Sequence, residues 1–171
     1  LFFHNKIIFF DNIIQNMSKC CFEYKTENQI LNEIEHINAN FNTSAANPNN
    51  RGFEYRKEEI QTDKLGNVAE YVKPQDIQQA LANLCKDIKN LLDNKDQIGM
   101  DTYIKEVIRI HYRFIRIQPF TNANSRTARA IVNILLQSNE LIGIFRKEKK
   151  NDYVNSIREA NRTIKEHEEK C

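Results

Sequence analysis

The feature that most constrains the fold is the helical spacing of apolar residues, which recurs along most of the chain. An apolar side chain returns every three or four residues in five stretches, at residues 30–41, 77–92, 104–115, 128–135 and 153–164. Such a stripe forms one face of a helix that must be buried against a neighbour. With only 4 glycines and 3 prolines, a turn-rich sandwich or barrel is disfavoured. The sequence predicts a mostly α-helical domain.

Capping residues and prolines predict where the first helices begin and end. Thr26 and Gln29 form a capping box, which predicts a helix over residues 27–41. Pro74 suits the first position of the second helix. Asp101 is a suitable cap for the third helix, and Pro119 ends it because the residue before a proline leaves the α region.

The C-terminal third of the chain continues this helical pattern. Asn124 is a good N-cap for a helix that buries the stripe from Ala128 to Leu135. The short apolar run at residues 141–145 predicts a buried connection. A last helix is expected over residues 152–170, with Tyr153 on its inner face.

One segment between the first two helices favours strand. Residues 53–62 and 68–72 contain β-forming side chains such as Phe53 and Tyr55, and residues 63–67 are rich in turn formers. The pattern predicts a β-hairpin. Because a lone hairpin is marginal in water, it is expected to lie on the helical body or to take up a partner strand.

Composition narrows the classes of partner and compartment. The formal net charge is +2, too small to favour binding to nucleic acid or to an anionic membrane. No apolar run approaches the roughly 20 residues that span a bilayer. The cysteines have no zinc-binding spacing, so free thiols in a reducing, cytoplasmic compartment are expected for Cys20, Cys21, Cys85 and Cys171.

The apolar periodicity also predicts the domain organisation. Residues 1–25 are expected to form an N-terminal extension, and residues 26–171 a single domain. A chain of this length buries about 70% of its unfolded surface, which is enough for one core.

The polar stretch between the third and fourth helices, residues 118–129, predicts a site for an anion. Unpaired N–H groups at a helix N-terminus attract phosphate. Small residues let a phosphate approach the backbone here, namely Asn122, Ala123 and Ser125. Arg126 and Arg129 lie three residues apart, and arginine suits multidentate binding of phosphate. The alternative is an ordinary capped helix with two solvated arginines.

The same stretch resembles the signature of the Fic/DOC (Fido) family, His-Pro-Phe-x-Asp/Glu-Gly-Asn-Gly-Arg-x-x-Arg. The matching residues are Pro119, Phe120, Asn124, Arg126 and Arg129. Residues 110–117 resemble the helix that leads into this loop, and residues 52–56 with the hairpin resemble the family's flap. The resemblance covers roughly residues 27–160 and implies a Fic-like helical bundle with one β-hairpin flap.

The resemblance also implies an activity and a set of ligands. The family transfers AMP from ATP to a protein hydroxyl, and one branch transfers a phosphate instead. ATP with Mg²⁺, or another nucleotide, is the implied ligand. By analogy the phosphates would be bound by Asn122, Ala123, Asn124, Ser125 and Arg126, with Arg129 on the terminal phosphate.

The flap implies a protein partner. In the family it docks the target segment as an added strand. The residues that would dock a target or partner protein here are Arg56, Lys57, Glu59 and Ile60.

The chain departs from the signature at the residues that carry the chemistry. Gln118 replaces the histidine base, and an amide has no titratable proton near neutral pH. Asn122 replaces the acidic metal ligand and is a weak, neutral candidate for Mg²⁺. Ala123 and Ser125 replace the two glycines. Nucleotide binding with lost or much reduced transfer is therefore predicted. The alternatives are an active or altered nucleotidyl- or phosphotransferase and a non-catalytic interaction module.

His111 is the one histidine near this stretch that invites a catalytic role. It lies about two helical turns, roughly 10 Å, before Gln118. It lies on the apolar face of its helix, so a buried structural histidine is the favoured interpretation, and a replacement base is the alternative. The basic stripe at Lys105, Arg109, Arg113 and Arg116 is interpreted as a solvated helix face.

Overall fold

The structure is a computed structural model that describes residues 21–42, 52–63, 66, 69–141 and 150–168. Five α-helices run through these residues, α1 Glu27–Asn42, α2 Ile77–Asp93, α3 Met100–Ile117, α4 Asn124–Gln137 and α5 Lys150–Glu168. Short 3-10 turns at Pro74–Asp76 and Lys95–Gln97 precede α2 and α3. The expected extension up to residue 20, and the expected connection beyond Leu141, lie outside the described residues. The prediction of a mostly helical fold is confirmed.

The helices begin and end largely where the local chemistry predicts, except that Gly99, and not Asp101, is the N-cap of α3. The backbone N–H of Gln29 donates to Oγ1 of Thr26 over 3.2 Å, and that of Thr26 donates to Oε1 of Gln29 over 2.9 Å. This reciprocal pair is the predicted capping box. Helix α3 ends at Ile117, just before the sequence Gln118-Pro119.

The core lies between α1, α2, α3 and α4. Helix α3 is central, since it packs against α2 and α4, while α1 packs against α2 and α4, and α5 rests on α3. The predicted stripes supply the largest buried side chains, including Ile30, Ile34, Leu81, Leu84, Ile88, Phe114, Ile115 and Ile131. Tyr103 is also fully buried, and its hydroxyl donates to the carbonyl of Leu135 over 2.6 Å. This packing fixes the two helices that flank the polar loop.

The region of the predicted hairpin contains no strand among its described residues. Residues 64, 65, 67 and 68 lie outside the description, so the hairpin itself stays a prediction. One backbone hydrogen bond crosses the turn, from Ala69 to the carbonyl of Gln61 over 3.3 Å. The start of the region pairs elsewhere, because Tyr55 forms an antiparallel bridge with Phe120 in the polar loop.

None of the described helices combines the length and apolarity needed to cross a membrane. Cys21 and Cys85 carry free thiols, while Cys20 and Cys171 lie outside the described residues. Burial raises the pKa of Cys85 to about 12, so this thiol stays protonated and unreactive at neutral pH.

Candidate functional site

The polar loop between α3 and α4 is bounded by two residues in the left-handed conformation. Gln118 has φ 43° and ψ 56°, and Ala123 has φ 61° and ψ 21°. This conformation costs a residue with a Cβ atom roughly 1–2 kcal/mol. Ala123 stands where the signature has a glycine, which adopts this conformation freely. The surrounding structure must therefore hold the loop in shape.

Asn124 supplies the first of these restraints. Its Oδ1 accepts the backbone N–H of Phe120 over 2.9 Å, and its Nδ2 donates to the carbonyl of Phe120 over 2.7 Å. The N-cap of α4 is Ala123, and Asn124 is the first helical residue, so the prediction of Asn124 as N-cap is wrong by one position. Its amide is committed to closing the loop.

Asn38 on α1 supplies a second restraint, which the sequence analysis missed. Its side chain is fully buried. Nδ2 donates to the carbonyl of Asn122 over 2.9 Å and to Oγ1 of Thr127 over 3.1 Å, and Thr127 Oγ1 donates to the carbonyl of Ala123 over 2.9 Å. The available signal was an asparagine on the apolar stripe of α1, four residues after Ile34. A buried amide needs partners, and here they belong to the loop.

Arg56 supplies the third restraint, a role that the sequence does not predict. The side chain is only 8% exposed. Its Nε donates to the carbonyl of Gln118 over 3.0 Å, and Nη2 donates to the carbonyls of Ile117, over 3.2 Å, and Val72. Its backbone N–H donates to the carbonyl of Pro119 over 2.8 Å. The Arg56 side chain is thus committed to the loop and does not face solvent as a docking residue would.

Replacing Arg56 by methionine is expected to lower the free energy of unfolding by about 2 kcal/mol, because buried carbonyls lose a charged donor. Chemical denaturation measures the change. The matched control is Lys57→Met, since the Lys57 side chain is 82% exposed and should change stability by less than about 0.5 kcal/mol. Equal effects of the two variants would contradict the role given to Arg56.

The other predicted docking residues lie at the surface. Lys57 and Glu59 are exposed and Ile60 is half-buried. These three side chains are placed where a partner could reach them, and their docking role stays a prediction.

The two arginines of the loop are held by different helices. Arg126 is exposed. Its Nη1 donates to the carbonyl of Phe41 on α1 over 3.4 Å, and its guanidinium lies 5.5 Å from the centre of the Phe41 ring. The half-buried Arg129 lies 5.3 Å from the centre of the Tyr153 ring on α5. Both cations are thereby fixed near the N-terminus of α4, where anion binding is favoured.

The position of the expected base is occupied by a buried amide. Gln118 is 5% exposed, and its backbone N–H donates to the carbonyl of Phe114 over 3.1 Å. Asn122, Ala123 and Ser125 are half-buried around the same loop. The structure therefore brings together the phosphate-binding positions that the sequence predicts.

The described residues do not fit a magnesium ion held by the protein alone. No group of three or more His, Cys, Asp or Glu side chains is gathered among them. The one candidate ligand, Asn122, is neutral, whereas Mg²⁺ is usually bound through carboxylates and phosphates.

His111 is buried away from solvent behind the loop. It is 6% exposed, and its Nε2 lies 3.0 Å from the hydroxyl of Tyr153. Burial, and secondarily the charge of Arg129, lower the pKa of His111 to about 4. The imidazole is neutral at physiological pH, and its partner is a tyrosine. These contacts favour the structural interpretation over that of a replacement base.

The fold resembles a solved Fic domain. A crystal structure of a Fic domain-containing signaling protein from Bacteroides thetaiotaomicron matches with a TM-score of 0.50 and 27% sequence identity. The match covers 61% of this chain and 38% of that protein, so this chain spans well under half of its relative. Comparison with curated proteins gives no match.

The family comparison covers the whole of the site. The model of the Fic/DOC family matches residues 26–136, which run from the capping box of α1 almost to the end of α4. This range includes Arg56, Gln118 and both loop arginines. Since the match takes in well over half of the sequence, the chain belongs to the Fic/DOC family.

Proposed function

We propose that this Fic-domain protein binds the phosphates of ATP, or of another nucleotide, at the loop between α3 and α4, and that transfer of AMP to a protein hydroxyl is lost or much reduced. The observation that carries the proposal is a preserved anion site beside a missing base. Arg126 is exposed at the start of α4, whereas the position of the base holds the buried amide of Gln118.

The restraints on the loop support the proposed binding of nucleotide phosphates. The loop backbone is held by hydrogen bonds from three side chains in separate parts of the chain, those of Asn38, Arg56 and Asn124. A loop fixed before binding loses little conformational entropy when the ligand arrives. The free protein already holds Ala123 in its left-handed conformation. The loop therefore has the shape proposed for phosphate binding without a glycine at position 123.

The loss of transfer is supported by the chemistry of the amide. Attack by a protein hydroxyl on a phosphate requires a group that accepts the hydroxyl proton. Gln118 has no lone pair of suitable basicity near neutral pH, and removing a positioned base typically costs about 10²–10⁴-fold in rate. His111, the nearest histidine in the helix, is buried and bonded to Tyr153, so it does not supply the missing function.

A partner protein is proposed to dock on the segment that follows Arg56. This segment is tied to the loop through the bridge between Tyr55 and Phe120, and Lys57 and Glu59 are exposed beside it. A strand added along this edge would therefore lie next to the phosphate site.

Isothermal titration with Mg·ATP tests the binding. Wild-type protein is expected to bind, and Arg126→Ala is expected to weaken binding about 10- to 100-fold, the loss of one charge-assisted contact. The matched control is Arg109→Ala, which removes the same charge from an exposed side chain on α3 and should leave the affinity unchanged. Absence of binding by the wild type at millimolar ATP would overturn the proposal and favour a non-catalytic interaction module.

A further inference from the structure

A half-buried polar network links α5 to the second arginine of the loop. Tyr153 on α5 lies with its ring 5.3 Å from the guanidinium of Arg129. On its other side, the Tyr153 hydroxyl is 3.0 Å from Nε2 of His111 on α3, and the two rings meet edge to face at 5.6 Å. Tyr153 thus stands between a buried histidine and a cation of the phosphate site.

The Tyr153 hydroxyl has several hydrogen-bonding neighbours in this arrangement. Burial raises the pKa of Tyr153, and hydrogen bonds from Arg129 and Ser125 oppose that rise. A phenol has one proton and two lone pairs. One of these is used at His111, whose Nε2 lies 3.0 Å from the oxygen, and Arg129 and Ser125 bond to the same hydroxyl.

We propose that Tyr153, supported by His111, is a positioning residue that holds Arg129 and Ser125 in place for the phosphates of the ligand. The inference rests on the proposed function, because it concerns the same phosphate site. It adds that the affinity of the site for phosphate depends on how α5 packs against α3. A change that displaces α5 would release Arg129 without touching the loop.

The network is selective for one of the two arginines. Arg126 is held by Phe41 on α1 instead. Loss of the Tyr153 hydroxyl should therefore free Arg129 and leave Arg126 in place. This selectivity separates positioning from a general loss of structure.

The test uses Tyr153→Phe, which keeps the ring and removes only the hydroxyl. Titration of the full chain with Mg·ATP is expected to show about tenfold weaker binding, the effect of one lost hydrogen bond to a charged group. In the background of Arg129→Ala, the same change should have little further effect, because the residue that it positions is gone. The control is Tyr112→Phe on α3, whose ring also lies against His111, and no loss of affinity is expected. Simple additivity of the two changes would overturn the proposal.

A second measurement keeps this test separate from that of nucleotide binding. In nucleotide-free protein, NMR of ¹⁵N-labelled arginine side chains should show the Nε–H of Arg129 protected from exchange in the wild type and exchanging faster in Tyr153→Phe. The signal of Arg126 should not change. An unaltered Arg129 signal would refute the positioning role even if ATP binds. If ATP does not bind but the Arg129 signal responds as expected, the proposed function fails and the link between Tyr153 and Arg129 stands.

Discussion

Gln118→His combined with Asn122→Asp is expected to raise the rate of nucleotide or phosphate transfer at least about 100-fold above the wild type, the lower end of what a positioned base contributes. The imidazole would provide a base that titrates near neutral pH, and the aspartate would restore the acidic group that the family signature carries. The backbone suits the change, because Gln118 is left-handed and histidine is enriched among the non-glycine residues in this region.

The two substitutions are expected to act together. Gln118→His alone should restore only part of the activity, since Asn122 offers no negative charge. The two side chains would act on one transition state, one on the nucleophile and the other on the charge of the phosphates. The gain of the double variant should therefore exceed the product of the single gains.

The assay is transfer of label from ATP to lysate proteins or to the protein itself. The matched control is Gln137→His, the same change at an exposed position at the end of α4, which should add no activity. A double variant that binds ATP and stays inactive would place the defect in the substituted loop or in a missing target. Wild-type activity equal to that of the double variant would disprove the proposed loss of the base.

The stability of the fold is expected to fall by about 3 kcal/mol as the pH drops from 6.5 to 4, through His111 alone. The pKa of this imidazole is lowered from 6.5 to about 4 in the folded protein, first by burial and then by the charge of Arg129. Between these values the unfolded chain binds a proton that the folded chain does not. Stability therefore rises with pH in this window and is constant above it, at 1.36 kcal/mol for each unit of pKa difference.

Denaturation curves recorded across this pH range measure the effect. Carboxylates also titrate at the acid end, so the relevant quantity is the difference in slope between the wild type and His111→Gln, whose amide is uncharged throughout. His36→Gln is the matched control, because it makes the same substitution at an exposed position on α1. A slope identical in the wild type and His111→Gln would show that His111 is readily protonated in the folded protein.

The helices and the loop could be predicted because their signals are local. The capping box at Thr26 and Gln29, the break at Pro119 and the apolar stripes each act within a few residues, and the structure contains all of them. The grouping of Arg126 and Arg129 with the loop follows from their spacing in one helix. The prediction of Asn124 as the N-cap of α4 is one residue off, because Ala123 takes the capping position in a left-handed conformation that its propensity disfavours.

The restraints on the loop could not be predicted because they join distant parts of the chain. Asn38 reaches Asn122 across 84 residues, and Arg56 reaches Gln118 across 62. Arg56 is predicted as a docking residue of the flap, because a single sequence does not show which carbonyls will surround a guanidinium. The pairing of Tyr55 with Phe120, which joins residues 65 positions apart, could not be predicted for the same reason.

The most direct measurement of the central claim is to incubate wild-type protein with ATP radiolabelled at the α- or the γ-phosphate, and to compare label retained under native conditions with label that survives denaturation. The account predicts that the native protein retains labelled ATP and that the double variant Arg126→Ala, Arg129→Ala does not. Almost no label should survive denaturation. Covalent label from either phosphate at a rate comparable to that of the Gln118→His, Asn122→Asp variant would contradict it, as would a native protein that retains no ATP at all.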